Sequence, residues 1–204
     1  MHRPLILAST SRYRRTLLEK FGIPFTCIAP VVDETPHPGE TAHTLVQRLA
    51  LAKAMAVATD NPDALVIGSD QVAVIDGQII GKPHSHERAF SQLLAASGKS
   101  VTFLTGLALV HLEGGQQLSL VEPFEVSFKV LDETSIEHYL RLEQPYECAG
   151  SFKSEGLGIL LFDRLSGRDP NTLIGLPLIA LHELLGELGY DVLAAARAAQ
   201  SRRI

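Results

Sequence analysis

A stretch near the N-terminus combines small hydroxyl residues with several arginines. The apolar run Leu5–Ala8 is followed by Ser9-Thr10-Ser11 and then by Arg12-Tyr13-Arg14-Arg15. This order predicts a buried strand, a tight turn and the first turn of a helix. A helix N-terminus is already positive, so added arginines there indicate a site for a polyvalent anion such as a phosphate chain. A solvated basic helix start with a Ser N-cap is the alternative that this stretch alone leaves open.

A second candidate functional group is a carboxylate within an apolar strand. Leu65–Ile75 has strand character, and Asp76-Gly77 supplies a two-residue turn into Gln78-Ile79-Ile80. Asp70 falls in the apolar row of this strand, where a carboxylate is costly unless a cation or metal ion meets it. Counting outward from the turn places Lys82 beside Asp70. The pair is either a structural ion pair or a catalytic carboxylate with an electrostatic partner.

Two more charged residues lie between these segments. A helix is predicted from about Thr41 to Thr59, and Lys53 falls on or beside its apolar stripe. The amine of Lys53 therefore either reaches back to solvent or is directed at a buried anion. Upstream, a proline-broken loop carries the adjacent acids Asp33 and Glu34; such loops are usually solvated. Taken together, these cations and carboxylates are typical of a site that holds a polyphosphate and a divalent metal.

Length and composition limit the possible functions. The chain has 204 residues, 46% hydrophobic and 20% charged, and a formal net charge of −5, which is ordinary for a globular protein. The negative balance argues against a nucleic-acid polymer as partner and favours a small phosphorylated ligand. Two distant cysteines indicate neither a zinc site nor a disulfide framework. With no signal-peptide core and no bilayer-spanning apolar run, we expect no membrane association and a cytoplasmic location.

The rest of the chain contributes architecture. No P-loop, no dinucleotide-binding glycine motif and no nucleophile elbow is present. The Gly-rich segment Cys148–Gly158 is predicted to be a loop, and the tail to Ile204 is expected to fray. Without repeats or long linkers, the chain is expected to form a single domain, residues 1–204, with two lobes.

Six segments occur in order along the chain: Leu7–Arg15, Val32-Asp33-Glu34, Leu51-Ala52-Lys53-Ala54, Gly68-Ser69-Asp70-Gln71, Gly81-Lys82-Pro83 and Gly175-Leu176-Pro177-Leu178. Together they resemble the Maf family of nucleotide pyrophosphatases over essentially the whole chain. Within that family, Tyr13, Gln71 and Glu155 resemble the YceF-like branch, which is associated with 7-methyl-GTP. The branch that acts on dTTP and UTP carries Arg, Thr and Gln at these three positions.

The resemblance implies an α/β fold with a curved mixed sheet flanked by helices, two lobes, a central cleft and often a homodimer. It implies hydrolysis between the α and β phosphates of a nucleoside triphosphate. Asp70 would accept the proton of the attacking water, and Glu34 and Asp70 would bind Mg²⁺ or Mn²⁺. The phosphate chain would be held by Ser9, Arg14, Lys53 and Lys82.

The specificity residues have a physical logic. Methylation at N7 makes guanine cationic, so the ring of Tyr13 could stack on it, and Glu155 could accept from the N–H groups of the guanine edge. The alternative is that Tyr13 packs in the core and Glu155 is an exposed loop acid. Two other functions stay open: a pyrophosphatase for dTTP, UTP or other modified nucleotides, and a nucleotide-sensing regulator of septum formation without turnover.

Overall fold

The computed structural model describes residues 3–201 and has a mixed α/β fold. The described residues form seven strands: β1 (Leu5–Ala8), β2 (Thr26–Ile28), β3 (Leu65–Ile75), β4 (Gln78–Ile80), β5 (Ser100–His111), β6 (Gln116–Phe128) and β7 (Phe162–Ser166). They also form seven α-helices: α1 (Arg12–Glu19), α2 (Ala42–Ala58), α3 (His86–Ala96), α4 (Glu133–Glu143), α5 (Asn171–Ile174), α6 (Leu178–Glu187) and α7 (Val192–Ser201). The predicted α/β class is therefore confirmed.

The strands form one mixed sheet in the order β2-β1-β3-β5-β6-β7, with β4 paired to β3. Strand β1 is parallel to β2 and to β3, whereas β4 is antiparallel to β3 and β7 to β6. The hairpin turns at Asp76 and Gly77, both with positive φ, as predicted from the Asp-Gly pair. Its ladder runs from the Ile75–Gln78 pair to the Ala73–Ile80 pair.

Two predictions about irregular segments need correction. The expected loop Cys148–Gly158 contains a short 3₁₀ helix at Ala149–Ser151 and leads into a second at Leu157–Leu161. The tail was expected to fray, but Val192–Ser201 form α7, because Val192 and Ala195 are buried. The last three residues of that tail, 202–204, lie outside the described residues, as do residues 1 and 2 of the predicted single domain.

The chain divides into two compact units. The first comprises Met1–Asp70, Thr105–Glu122 and Gly175–Ile204, and the second comprises Gln71–Leu104 and Pro123–Ile174. That the whole chain acts as a single domain with a central cleft stays a prediction.

One core cluster of the first unit is rich in small side chains, and there α2 lies very close to the sheet. A Cβ on Gly68 of β3 would lie 2.1 Å from the carbonyl oxygen of Ala50, and one on Gly106 of β5 would lie 2.1 Å from that of Val46. Only glycine fits at these two positions. Six of the ten buried residues in this cluster are alanines: Ile6, Ala8, Ala50, Ala54, Val57, Ala58, Ala64, Val66, Ala108 and Val110.

The core of the second unit is aromatic. The ring of Phe152 packs edge-to-face against Phe103, Phe128 and Phe162, with ring centroids 5.3, 5.5 and 4.7 Å away. Edge-to-face aromatic pairs stabilise the folded state by more than the burial of their apolar area, and they favour one relative orientation of the rings. Phe152 thereby anchors the chain immediately before Lys153 and Glu155.

We expect Gly68→Ala to destabilise the protein by about 3 kcal/mol, because the added methyl group would force α2 away from β3. Urea unfolding followed by circular dichroism measures this cost. Gly186→Ala is the matched control: Gly186 lies in α6 with nothing within 4 Å of its Cβ position, so alanine should stabilise by up to about 1 kcal/mol. Equal effects of the two substitutions would contradict the close approach of α2.

Candidate active site

Lys53 is buried and bonds to two carboxylates. Its Nζ lies 2.7 Å from Oδ1 of Asp70 at the end of the β3 segment in the first unit, and 2.7 Å from Oε1 of Glu34. Lys53 is 7% exposed and Asp70 8%, so this is an interior ion pair. Of the two alternatives for Lys53, the structure therefore shows the amine directed at a buried anion.

The position of Lys53 follows from the close contact of α2 with β3. Lys53 lies three residues after Ala50 on α2, and Asp70 lies two residues after Gly68 on the same side of β3. The glycine contact thus brings the lysine stem over the carboxylate. Both ions lose hydration here, and their burial is tolerated because each binds the other directly.

Glu34 approaches the same ammonium from a loop and keeps 60% of its side chain exposed. Two carboxylate oxygens, one on the buried Asp70 and one on the exposed Glu34, therefore converge on one ammonium group. Such oxygens suit Mg²⁺ or Mn²⁺, which take few protein carboxylates and complete their coordination with water and phosphate oxygens. Within residues 3–201, no cluster of three or more His, Cys, Asp or Glu side chains could hold a metal. In the structure the two carboxylate oxygens bind the Lys53 ammonium.

The predicted strand, hydroxyl turn and helix are present at the N-terminus. Ser9 is buried, and its Oγ accepts a hydrogen bond from the Ser11 backbone N–H at 3.1 Å. Ser11 is the N-cap of α1, and its Oγ accepts from the Arg14 N–H. The hydroxyl groups therefore order the turn and start the helix that carries the arginines.

Arg14 belongs electrostatically to the same site. Its Nε donates to the Gly175 carbonyl at 2.9 Å, and the fully buried Ser69 hydroxyl donates to that carbonyl as well. Burial lowers the pKa of Arg14, and the carboxylates of Asp70 and Glu34 oppose this shift. A guanidinium remains charged in proteins, so Arg14 is a fixed cation close to both acids. Ser69 lies in the quoted segment Gly68-Ser69-Asp70-Gln71, but no role was predicted for its hydroxyl.

A second charged pair holds the loop of Glu34. Arg48 on α2 donates to both carboxylate oxygens of Glu40, at 2.7 and 2.8 Å, and to the Thr35 carbonyl at 3.2 Å. The His37 N–H also donates to Glu40. This two-point arginine–carboxylate contact ties the acidic loop to the helix that carries Lys53. It was missed because Glu40 and Arg48 look like solvated surface residues.

The cation on Asp70 is thus Lys53, whereas the hairpin count had predicted Lys82. In the second unit Lys82 forms an ion pair with Glu147, at 3.7 Å, and the β3–β4 ladder ends at Ile80, before Lys82. The prediction paired residues of β3 and β4 outward from the turn, and this procedure takes no account of residues on α2. A role of Lys82 in binding phosphate stays a prediction.

The three predicted specificity residues are differently placed. Tyr13 is half-buried, the Arg12 guanidinium lies 4.9 Å from its ring centroid, and Arg12 Nη2 donates to its hydroxyl. Gln71 donates from Nε2 to the carbonyls of Thr172 and Leu173, which fixes the orientation of its amide. Glu155 is exposed. Tyr13 is therefore not a core residue, and its ring already accepts one cation.

Comparisons with known sequences show one family. A family model described as Maf-like protein matches residues 4–188. A protein of Alkalilimnicola ehrlichii named 7-methyl-GTP pyrophosphatase is 58% identical over 94% of this chain and 96% of its own. Proteins of the same name from Nitrosococcus oceani and Colwellia psychrerythraea are 58% and 56% identical, each over 93% of this chain and 95% of their own.

Among solved structures, a HAM1 protein from Coxiella burnetii matches 63% of this chain and 73% of its own, with 18% identity and a TM-score of 0.46. In the part of the chain that the structure describes, no helix is both long and apolar enough to cross a membrane.

The Arg48–Glu40 contact predicts a pH-dependent stability. The arginine, and then the His37 amide, lower the pKa of Glu40 from its usual 4.5 to about 2. A carboxyl whose pKa is lower in the folded state stabilises above its unfolded pKa and loses that contribution as the pH falls. The stability difference between the wild type and Glu40→Gln should therefore be full above pH 4.5 and shrink toward pH 2. Urea unfolding of both proteins across this range measures it, and a difference independent of pH would contradict the contact.

Proposed function

The chain belongs to the Maf-like protein family, and we propose that it hydrolyses 7-methyl-GTP to 7-methyl-GMP and pyrophosphate. The observation that carries the proposal is the buried Lys53 ammonium between the carboxylates of Asp70 and Glu34, with Arg14 close by. The three relatives described above carry the name 7-methyl-GTP pyrophosphatase at 56–58% identity. A site with a buried ammonium, a half-buried guanidinium and two acids suits a polyphosphate substrate and a water nucleophile.

We assign proton transfer to Asp70. A water oxygen attacks the α phosphorus, its proton passes to the Asp70 carboxylate, and the bond from the α phosphorus to the bridging oxygen breaks as pyrophosphate leaves. Lys53 binds Oδ1 of Asp70 at 2.7 Å and so fixes the orientation of the carboxylate. A positioned carboxylate of this kind contributes about 10²- to 10⁴-fold to the rate.

Fixed cations offset the charge that develops on the phosphate oxygens. We propose that Arg14 and Lys53 bind the phosphate chain together with Ser9 and Lys82. Because Arg14 and Lys53 are held by protein groups, little reorganisation is needed when the substrate arrives. We propose that Glu34 and Asp70 hold Mg²⁺ or Mn²⁺, which when bound supplies additional charge neutralisation and aligns the phosphates.

Base selection is assigned to three residues. The ring of Tyr13 would stack on the cationic methylated base in competition with the Arg12 guanidinium, a contact worth about 0.5–2 kcal/mol. Glu155 would accept hydrogen bonds from the guanine edge, which a pyrimidine cannot donate. Gln71, oriented by the backbone of α5, is the third specificity residue. A homodimer and a cytoplasmic location complete the proposal.

The deciding experiment is a pyrophosphate-release assay on the purified protein with 7-methyl-GTP, GTP, UTP and dTTP, with and without Mn²⁺. The proposal requires the highest kcat/KM on 7-methyl-GTP and dependence on the metal. Faster turnover of UTP or dTTP would contradict the proposed substrate and indicate a dTTP/UTP pyrophosphatase. Nucleotide binding without any pyrophosphate release would indicate a sensor.

We expect Asp70→Asn to lower kcat by about 10²- to 10⁴-fold, because the amide cannot accept the proton of water. Steady-state kinetics with 7-methyl-GTP measure kcat. Asp76→Asn is the matched control, since Asp76 is an exposed hairpin acid paired with Lys99. A kcat of Asp70→Asn within threefold of the control would remove Asp70 from proton transfer.

Glu155→Gln should lower the preference for 7-methyl-GTP over UTP by about tenfold, because the amide replaces one hydrogen-bond acceptor by a donor. The ratio of the two kcat/KM values is the readout, so a general loss of activity cancels. An unchanged ratio would show that Glu155 does not contact the base.

A further inference from the structure

One carboxylate holds both ends of the segment that carries Glu155. Glu143, the last residue of α4, accepts from Lys153 Nζ with Oε1 at 3.1 Å and from the Leu157 N–H with Oε2 at 2.8 Å. Lys153 Nζ also donates to the Glu143 backbone carbonyl at 2.7 Å. The side chains of Lys153 and Glu143 are only 18% and 16% exposed. We call these contacts the Glu143 clamp.

The clamp encloses a tight turn. The Gly156 N–H donates to the Lys153 carbonyl at 3.2 Å, so Glu155 lies within a closed turn between the two clamped ends. A Cβ on Gly156 would lie 2.6 Å from Oε2 of Glu143, so glycine is what permits the carboxylate to approach this turn. The buried hydroxyl of Tyr139, one helical turn before Glu143, accepts from the Lys153 N–H at 3.1 Å. The end of α4 therefore fixes the place of Glu155.

The clamp also binds the ammonium of Lys153, a cation close to Glu155 in sequence. Lys153 lies two residues from Glu155, and its ammonium is held by two oxygens of Glu143. The Leu157 amide and the Lys153 ammonium both lower the pKa of Glu143, so the carboxylate is charged at neutral pH. Lys153 is thus bound to Glu143, and the Glu155 carboxylate accepts a hydrogen bond from the Ser154 hydroxyl at 3.4 Å.

We propose that Glu143 is a positioning residue that holds Glu155 for recognition of the guanine edge. This inference rests on the proposed function and deepens it, because it concerns how the same substrate is selected. Glu143 does not touch the base itself. It acts through the turn, and losing it would let the turn move and release Lys153 toward Glu155.

Glu143→Gln tests the clamp, because the amide keeps the shape of the side chain but presents only one oxygen to two donors. Glu137→Gln is the matched control on the same helix, since Glu137 pairs with Arg141 and His86. Two readouts are taken for each variant: hydrogen exchange of the peptide that spans residues 153–157, and the ratio of kcat/KM for 7-methyl-GTP over UTP.

We expect Glu143→Gln to speed exchange in that peptide and to lower the substrate ratio by about tenfold, mainly through a higher KM for 7-methyl-GTP, with UTP turnover unchanged. The control should leave both readouts at wild-type values. Faster exchange with an unchanged ratio, or unchanged exchange, would overturn the inference while leaving the proposed function intact. No wild-type turnover of 7-methyl-GTP would overturn the proposed function and the selectivity claim, whereas the exchange data would still show whether the clamp exists.

Discussion

The bond between the buried Lys53 ammonium and Asp70 is the interaction on which the candidate site depends. It exists because α2 lies against β3 and β5 at distances that only Gly68 and Gly106 allow. A larger residue at either glycine would move the helix and, with it, the lysine. The small core residues around this contact are thus part of the chemistry, since they set the distance between a cation and the carboxylate that we propose as the base.

Two further charged contacts tie loops to helices. Arg48 on α2 binds Glu40 and so holds the loop that carries Glu34, and Glu143 on α4 binds Lys153 and so holds the turn that carries Glu155. In each case a helix supplies the rigid partner, and an exposed acid lies nearby on the tied segment. A side chain on a loop can act with precision only when such contacts limit the motion of its backbone. This arrangement combines access for a ligand with fixed geometry.

The sequence predicted the elements well where one periodic pattern determines them. The strand of Asp70, its hairpin and helix α2 follow from alternation, the Asp-Gly turn and the apolar stripe. The predicted partner of Asp70, Lys82, was wrong. Pairing residues outward from the hairpin turn considers only the two strands, whereas Lys53 reaches Asp70 because helix α2 packs on the sheet. The Arg48–Glu40 contact and the Glu143 clamp join residues whose spacing carries no pattern. The substrate class came from the family resemblance, which composition and spacing could not supply.

A crystal structure with Mn²⁺ and a 7-methyl-GTP analogue that carries a methylene group between the α and β phosphorus atoms is the most direct test of the account. We predict that the phosphates bind to Arg14 and Lys53, and that Asp70 faces a water molecule in line with the α phosphorus. Phosphates bound away from Lys53, or an α phosphorus out of reach of Asp70, would contradict the central claim that this buried ion pair is the catalytic centre.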